Sequence, residues 1–284
     1  MNTHKSLIIT TLTIVFIALL SGCGDGNKST EPEKPDFEPK FPPKTIVVKN
    51  NWRNGSTGIT FSSIEEAEWE LLHLKVTSIS SFNDVFEQVL LSDPSSMDYP
   101  FDSLSAKYDG VRFTPVASDD GNVRFFGVEG GAVIPHMIAQ YRINGEVKLA
   151  DEYGEKCYFC LNPDTIFTFN TGKSTIYLVL GFAGSEPGMS QYDLHAFELD
   201  STGLHPFSAF ESYLEDEADE QIITVGMITT DDWDFINENG GVKKLITFDK
   251  QTGTIYKPYF SKKANSMIEE VLYVWDGKKF KIKK

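Results

Sequence analysis

The sequence predicts a mainly β protein: an antiparallel β meander or partial propeller-like repeat, preceded by a small N-terminal α+β segment. Three observations carry this. From about residue 100 onward, apolar residues alternate with polar ones over short runs, the period of a half-buried strand. Those runs are punctuated by turn dipeptides, Asn144-Gly145 and Asp276-Gly277, and by Thr-Gly pairs at 171, 202 and 252. Only one stretch, SSIEEAEWELLHLK, has convincing helical spacing.

The elements follow in chain order. Residues 1–22 read as a secretory signal: Lys5, an uncharged, largely apolar run from Leu7 to Leu20, then small residues. As a helix that run would span about 21 Å, short of the roughly 30 Å of a bilayer's hydrocarbon core. Leu20-Ser21-Gly22-Cys23 resembles the lipobox of bacterial lipoproteins. The resemblance implies that the Cys23 thiol carries a diacylglyceryl group, that the chain is cut before it, and that the new amino terminus is acylated. Several acyl chains on one residue hold a protein on a membrane without a spanning helix.

Residues 23–43 follow as a tether. Pro32, Pro35, Pro39, Pro42 and Pro43 stand among charged and small residues, with only Phe37 and Phe41 as large apolar groups, a composition that cannot bury a core. Extended as polyproline II it reaches on the order of 60 Å. Removing residues 1–22 leaves 25 basic against 41 acidic side chains. So acidic a chain repels phosphate backbones, and nucleic acid is not expected as a partner; by the same net-charge argument lipid head groups are poor partners.

Residues 44–100 are expected to form the small α+β cap. Ser62 and Ser63 each precede a glutamate by three residues, the capping-box spacing, and Ile64, Ala67, Leu71 and Leu74 recur at helical intervals. A weaker helix is expected over Phe82–Leu91.

Residues 101–284 are expected to be the antiparallel β domain. Tyr141 and Ile143 alternate into Asn144-Gly145 and out through Val147 and Leu149, a type I′ hairpin signature, and Asp276-Gly277 suggests another. A loose repeat pairs VRFFGVEGG with MIAQYRINGEVKLADEY, STIYLVLGFAG with YDLHAFELDSTGLHPFSAF, and KLITFDKQTGTIYKPYF with VLYVWDGKKFKIKK. Three units are fewer than a closed propeller uses. From about residue 100 the segments STIYLVLGFAG, YDLHAFELDSTGL, LITFDKQTGTIY and LYVWDGKKFKIKK resemble an uncharacterised family of Bacteroidota lipoproteins. That family has no established activity, so the resemblance implies an outer-membrane, lipid-anchored β scaffold and transfers no functional residue.

For chemistry, Cys157 and Cys160 form a CxxC among β-forming residues; free thiols, a structural disulfide and redox or metal chemistry are its three readings. FAGSEPGMS around Ser185 lacks the spacing of a nucleophile elbow. His73, His136, His195 and His205 match no metal-ligand spacing, and neither a metal nor a cofactor is expected. DDWDFINENGG is the richest segment: Asp231, Asp232 and Asp234 surround Trp233, a composition suited to a sugar or a hard cation. The expectation is a membrane-anchored, non-enzymatic binding or accessory protein of the bacterial envelope, contacting a glycan, a peptide or an envelope protein. The alternatives are a glycan hydrolase with paired carboxylates and a structural envelope component.

Overall fold

A computed structural model of the chain describes residues 46–49, 58–73, 86–91, 93–107, 113–128, 136–150, 161–186, 189–212, 218–229, 245–261 and 266–283. All lie in one compact unit, Phe37–Lys284. Among them no helix is long and apolar enough to cross a membrane.

The molecule is mainly β, with its few helices near the N-terminus. A hairpin of β1 (Ile46–Lys49) and β2 (Gly58–Phe61) leads into α1 (Ile64–His73). The Ser63 hydroxyl accepts the Glu66 N–H at 3.2 Å, while the Glu66 carboxylate reaches back to the N–H of Ser62 at 2.6 Å. The capping box is therefore shared between two serines, one supplying each half. Residues 86–91 are helical, and a 3₁₀ turn (Pro94–Met97) leads to α2 (Asp102–Lys107), a helix beyond Pro100 that the strand pattern did not announce.

Three antiparallel sheets follow in chain order. The first is β3 (Phe113–Ala117), β4 (Val123–Val128), β5 (His136–Ile143) and β6 (Glu146–Leu149). The second is β7 (Asn162–Asn170), β8 (Thr175–Glu186), β9 (Met189–Leu199) and β10 (Leu204–Pro206), with β11 (Ile222–Thr229) pairing along the rest of the β9 edge. The third is β12 (Thr247–Asp249), β13 (Thr254–Ser261), β14 (Ser266–Trp275) and β15 (Phe280–Ile282). Each contains a four-stranded meander, and the second sheet adds β11 as a fifth strand.

Alternation along the strands shows how the sheets are layered. On β4, Phe126 packs with Phe61 of β2 and with Leu71, Phe86 and Phe101 of the helical segment, whereas Val123 and Phe125 pack with Tyr177, Val179 and Phe197 of the second sheet. On β8, Tyr177 and Val179 face that first sheet, while Ile176, Leu178 and Leu180 join Phe248, Ile255, Tyr273 and Phe280 of the third. Helices, first sheet, second sheet and third sheet thus form successive layers. Rings bridge the layers: Phe125 lies 5.1 Å from Phe197, and Phe169 lies 5.6 Å from Phe248 and 5.5 Å from Trp275. Because helices occupy the face of the first sheet that a ring of blades would need for closure, the repeat is an open stack.

Turn chemistry sets the registers. Asn144 (φ 53°) and Gly145 (φ 79°) both take left-handed conformations between Ile143 and its partner Glu146, the two-residue type I′ turn. The turn at Asp276 is longer than the dipeptide suggested. Trp275 pairs with Phe280, so four residues intervene, and the Asp276 carboxylate accepts the Lys278 and Lys279 N–H groups at 2.9 and 3.0 Å. Asn170, Asp200 and Asp249 open their hairpin loops in the same way, each accepting a backbone N–H two residues on.

One residue is held against its own preference. Phe101, fully buried, adopts φ 53°, a region costly for a large L side chain. Phe86 and Tyr99 stack edge-on against its ring at 5.2 and 4.8 Å, and Arg124 of β4 bonds the carbonyls of Tyr99 and Pro100 just before it.

Candidate functional site

The residues with most chemical character lie on β9. Its side chains alternate: Tyr192, Leu194 and Ala196 enter the core shared with the third sheet, so Gln191, Asp193 and His195 share the opposite face with Phe197, which packs toward the first sheet. Asp193 is 7% exposed and His195 3%, so a carboxylate and an imidazole stand buried two positions apart on a strand. The Gln191 side-chain amide donates to both Asp193 oxygens at 3.0 Å, and Thr224, the register partner of Asp193 on β11, lies 3.4 Å from that amide. A buried carboxylate needs such donors.

The other neighbour of Asp193 is Gly181 of β8, which contributes no side chain. The reason lies in β7. A Cβ on Gly181 would stand 2.2 Å from the Asn162 carbonyl oxygen, and one on Gly127 of β4 would stand 2.0 Å from the Asn162 side-chain oxygen. Two glycines, one from each of two sheets, therefore admit the start of β7 between them.

Asn162 opens β7, Glu186 closes β8, Met189 opens β9 and Thr229 closes β11; register places all four at one end of the second sheet. Three stretches singled out in the sequence connect to that end. Cys157 and Cys160 come just before Leu161, Ser185 is near the end of β8, and Asp231, Asp232, Trp233 and Asp234 come just after Thr229. Cys23, Cys157, Cys160 and residues 231–234 themselves lie outside the described residues.

Sequence reading passed over Gln191, Asp193 and Thr224 and took His195 as an ordinary strand histidine. The available signal was parity: Q-x-D-x-H places three polar groups on one face of a strand whose other face is Tyr, Leu and Ala.

The opposite end of the sheets is polar in a different way. Tyr177 donates to Asp120 at 2.8 Å, and burial together with that bond raises the tyrosine's pKa. Burial also pushes the Asp120 carboxyl up, but hydrogen bonds from Ser118, the Asn122 N–H and Tyr177 outweigh it and hold it below the ordinary value. Lys250 pairs with Asp119, tying a loop of the third sheet to one of the first. On the β9–β10 loop, Thr202 donates to Asp200 and sits 2.9 Å from the His205 imidazole. Thr202 thus bridges the Asp200 carboxylate and the His205 imidazole.

Among the described residues, no three of His, Cys, Asp and Glu gather as metal ligands. Comparison with protein-family models, with curated proteins and with solved structures finds no match to this chain.

Proposed function

We propose that this chain is a lipid-anchored, non-enzymatic binding or accessory protein of the bacterial cell envelope, anchored through Cys23 in the outer membrane. Its ligand face is the end of the second sheet where β7 begins, β8 turns into β9 and β11 ends. The observation that carries the reading is the convergence there of the Gln191–Asp193–His195 strip, its aspartate and histidine buried and its glutamine part-exposed, with the chain connections to the Trp233 segment. A rigid three-stranded platform delivering loops is the arrangement in which binding residues concentrate. Tryptophan with carboxylates and amides suits a glycan, stacking on a ring face and bonding its hydroxyls.

The test is a glycan panel applied to the purified chain, following tryptophan fluorescence and product release together. Binding that is lost in Trp233→Ala, with no product formed, supports the proposal. Turnover abolished by a single Asp or Glu substitution overturns it in favour of a hydrolase.

A further inference from the structure

Two β-bulges meet at one residue of β9. On one side, β8 carries Ala183 between Phe182 and Gly184, the partners of Tyr192 and Gln191. On the other, β11 carries Val225 between Thr224 and Gly226, the partners of Asp193 and Tyr192. An unbroken strand is thus flanked by an extra residue on each side. Bulges of this kind bend a sheet, re-aim side chains and concentrate beside binding sites. The residues on either side of Tyr192 are Gln191 and Asp193, which share the face opposite to its ring.

Hydrogen bonding decides which way the Gln191 amide faces. A carboxylate accepts and cannot donate, so the end of the amide 3.0 Å from both Asp193 oxygens is its NH2 group. The same nitrogen donates toward the Thr224 hydroxyl oxygen at 3.4 Å. Both N–H groups are thereby used within the strip, and the amide oxygen stands at the far end of the group, with no hydrogen bond to it among the described residues. Because Thr224 accepts from the amide, its own O–H is left to donate elsewhere; Thr224 is exposed and Gln191 part-exposed. Gly184, the register partner of Gln191 on β8, adds no side chain, and a Cβ there would meet nothing within 4 Å among the described residues. An accepting oxygen and a donating hydroxyl therefore stand on neighbouring strands beside an open notch.

We infer that Gln191 and Thr224 read a vicinal pair of sugar hydroxyls, one donating to the Gln191 amide oxygen and its neighbour accepting from the Thr224 hydroxyl, and that Asp193 is the positioning residue that holds the amide in that sense. The inference rests on the glycan reading of the ligand face. Adjacent hydroxyls on a sugar ring offer a donor and an acceptor side by side, which is what the pair requires. A ligand that covers the amide oxygen without supplying a donor leaves it unpaired, and sites of this kind discriminate strongly against such ligands.

The test is calorimetric binding of soluble mannan, cellulose, galactan and xylan oligosaccharides to the full chain, followed for the tightest of them by its deoxy analogues. Gln191→Met and Thr224→Val should each weaken binding about tenfold, with thermal midpoints confirming that both variants fold. Removing either hydroxyl of the recognised pair should cost the parent a similar factor, and the variant that has lost the matching protein group should no longer distinguish the deoxy sugar from the intact one. Asp193→Asn frees the amide to turn and should weaken binding about tenfold. Combined with Gln191→Glu it rebuilds the bond in reverse, with a carboxylate oxygen again facing outward, and should bind within about threefold of the parent. No recovery in the double variant overturns the positioning role, because a packing role would not be rescued by the exchange. Undiminished binding in Gln191→Met and Thr224→Val alongside loss in Trp233→Ala overturns the inference and leaves the ligand-face reading in place. A parent chain that binds none of these sugars overturns both.

Discussion

Arg124 of β4 and Gln140 of β5 stand opposite each other in register, and both reach off the first sheet to the helical segment. The guanidinium bonds the carbonyls of Ser96, Met97, Tyr99 and Pro100, and the Gln140 amide bonds the Leu90 carbonyl and the Ser96 hydroxyl. Burial lowers the pKa of Arg124 to about 10, still protonated at neutral pH, and its cation lies 4.7 Å from the Phe126 ring centre. Two side chains thereby supply donors to five carbonyls around the 3₁₀ turn, those of Leu90, Ser96, Met97, Tyr99 and Pro100.

Replacing Arg124 with Met should therefore destabilise the fold by about 3 kcal/mol, because several carbonyls lose their donors in a buried place. Lysine at that position should recover only part of the loss, since one ammonium cannot span four acceptors. Urea unfolding of the three proteins measures this; a methionine variant as stable as the parent would mean the carbonyls find other donors.

A second expectation concerns the glycines around Asn162. Gly181→Ala places a methyl group against backbone and should cost more than about 3 kcal/mol, while Gly127→Ala meets mainly a side chain. Combining Gly127→Ala with Asn162→Ala should return part of the lost stability, whereas the same second change should not rescue Gly181→Ala. Equal rescue of both, read from thermal midpoints, would show that the crowding is not at the Asn162 backbone.

Acid stability follows from the loop aspartates. Backbone N–H groups of Lys279 and Lys278 bring Asp276 down to about 2, and Asp120, Asp200 and Asp249 are also held below their ordinary 3.8. With folded values depressed, the unfolded chain takes up protons first. The stability these groups contribute is complete above the ordinary carboxylate range and drains as pH falls from about 4 toward 2. Asp276→Asn keeps an acceptor but not the charge, so it should flatten part of that decline. A stability curve of unchanged slope below pH 4 would remove the aspartate loops as its cause.

The fourth expectation is that Cys23→Ala frees the protein from membranes. Acyl chains depend on that thiol and a spanning helix does not. Retention of the variant in the pellet after an alkaline wash would mean something else holds the chain there.

How much of this was legible in the residues can be seen strand by strand. Tyr141-x-Ile143 with Asn144-Gly145 gave both the pairing and its turn, because a type I′ turn demands residues that tolerate positive φ. The repeat found three units, but its first two copies begin at β4 and β8, the second strands of their sheets, and its third begins beside β12, a first strand. Short β3 carries a proline and no strong alternation, which hid it. Arg124 and Gln140 were invisible for a physical reason. A charged residue between Val123 and Phe125 reads as the wet side of a one-sided sheet, yet here both faces are covered and the arginine finds carbonyls instead of water. The Asp193 strip was missed in the same way.

The order of the layers is also the order of the chain. As residues emerge from synthesis or from a translocation channel, each sheet meets a finished apolar face left by the one before it, and almost none waits for a segment not yet made. The exception is the stretch around Phe210, whose backbone is bonded by Phe280 near the very end. A chain stopped before β15 would keep its earlier layers and the bonds between Phe210 and Glu220 but lose those to Phe280, so the last strand adds a second fastening to a structure otherwise assembled from front to back.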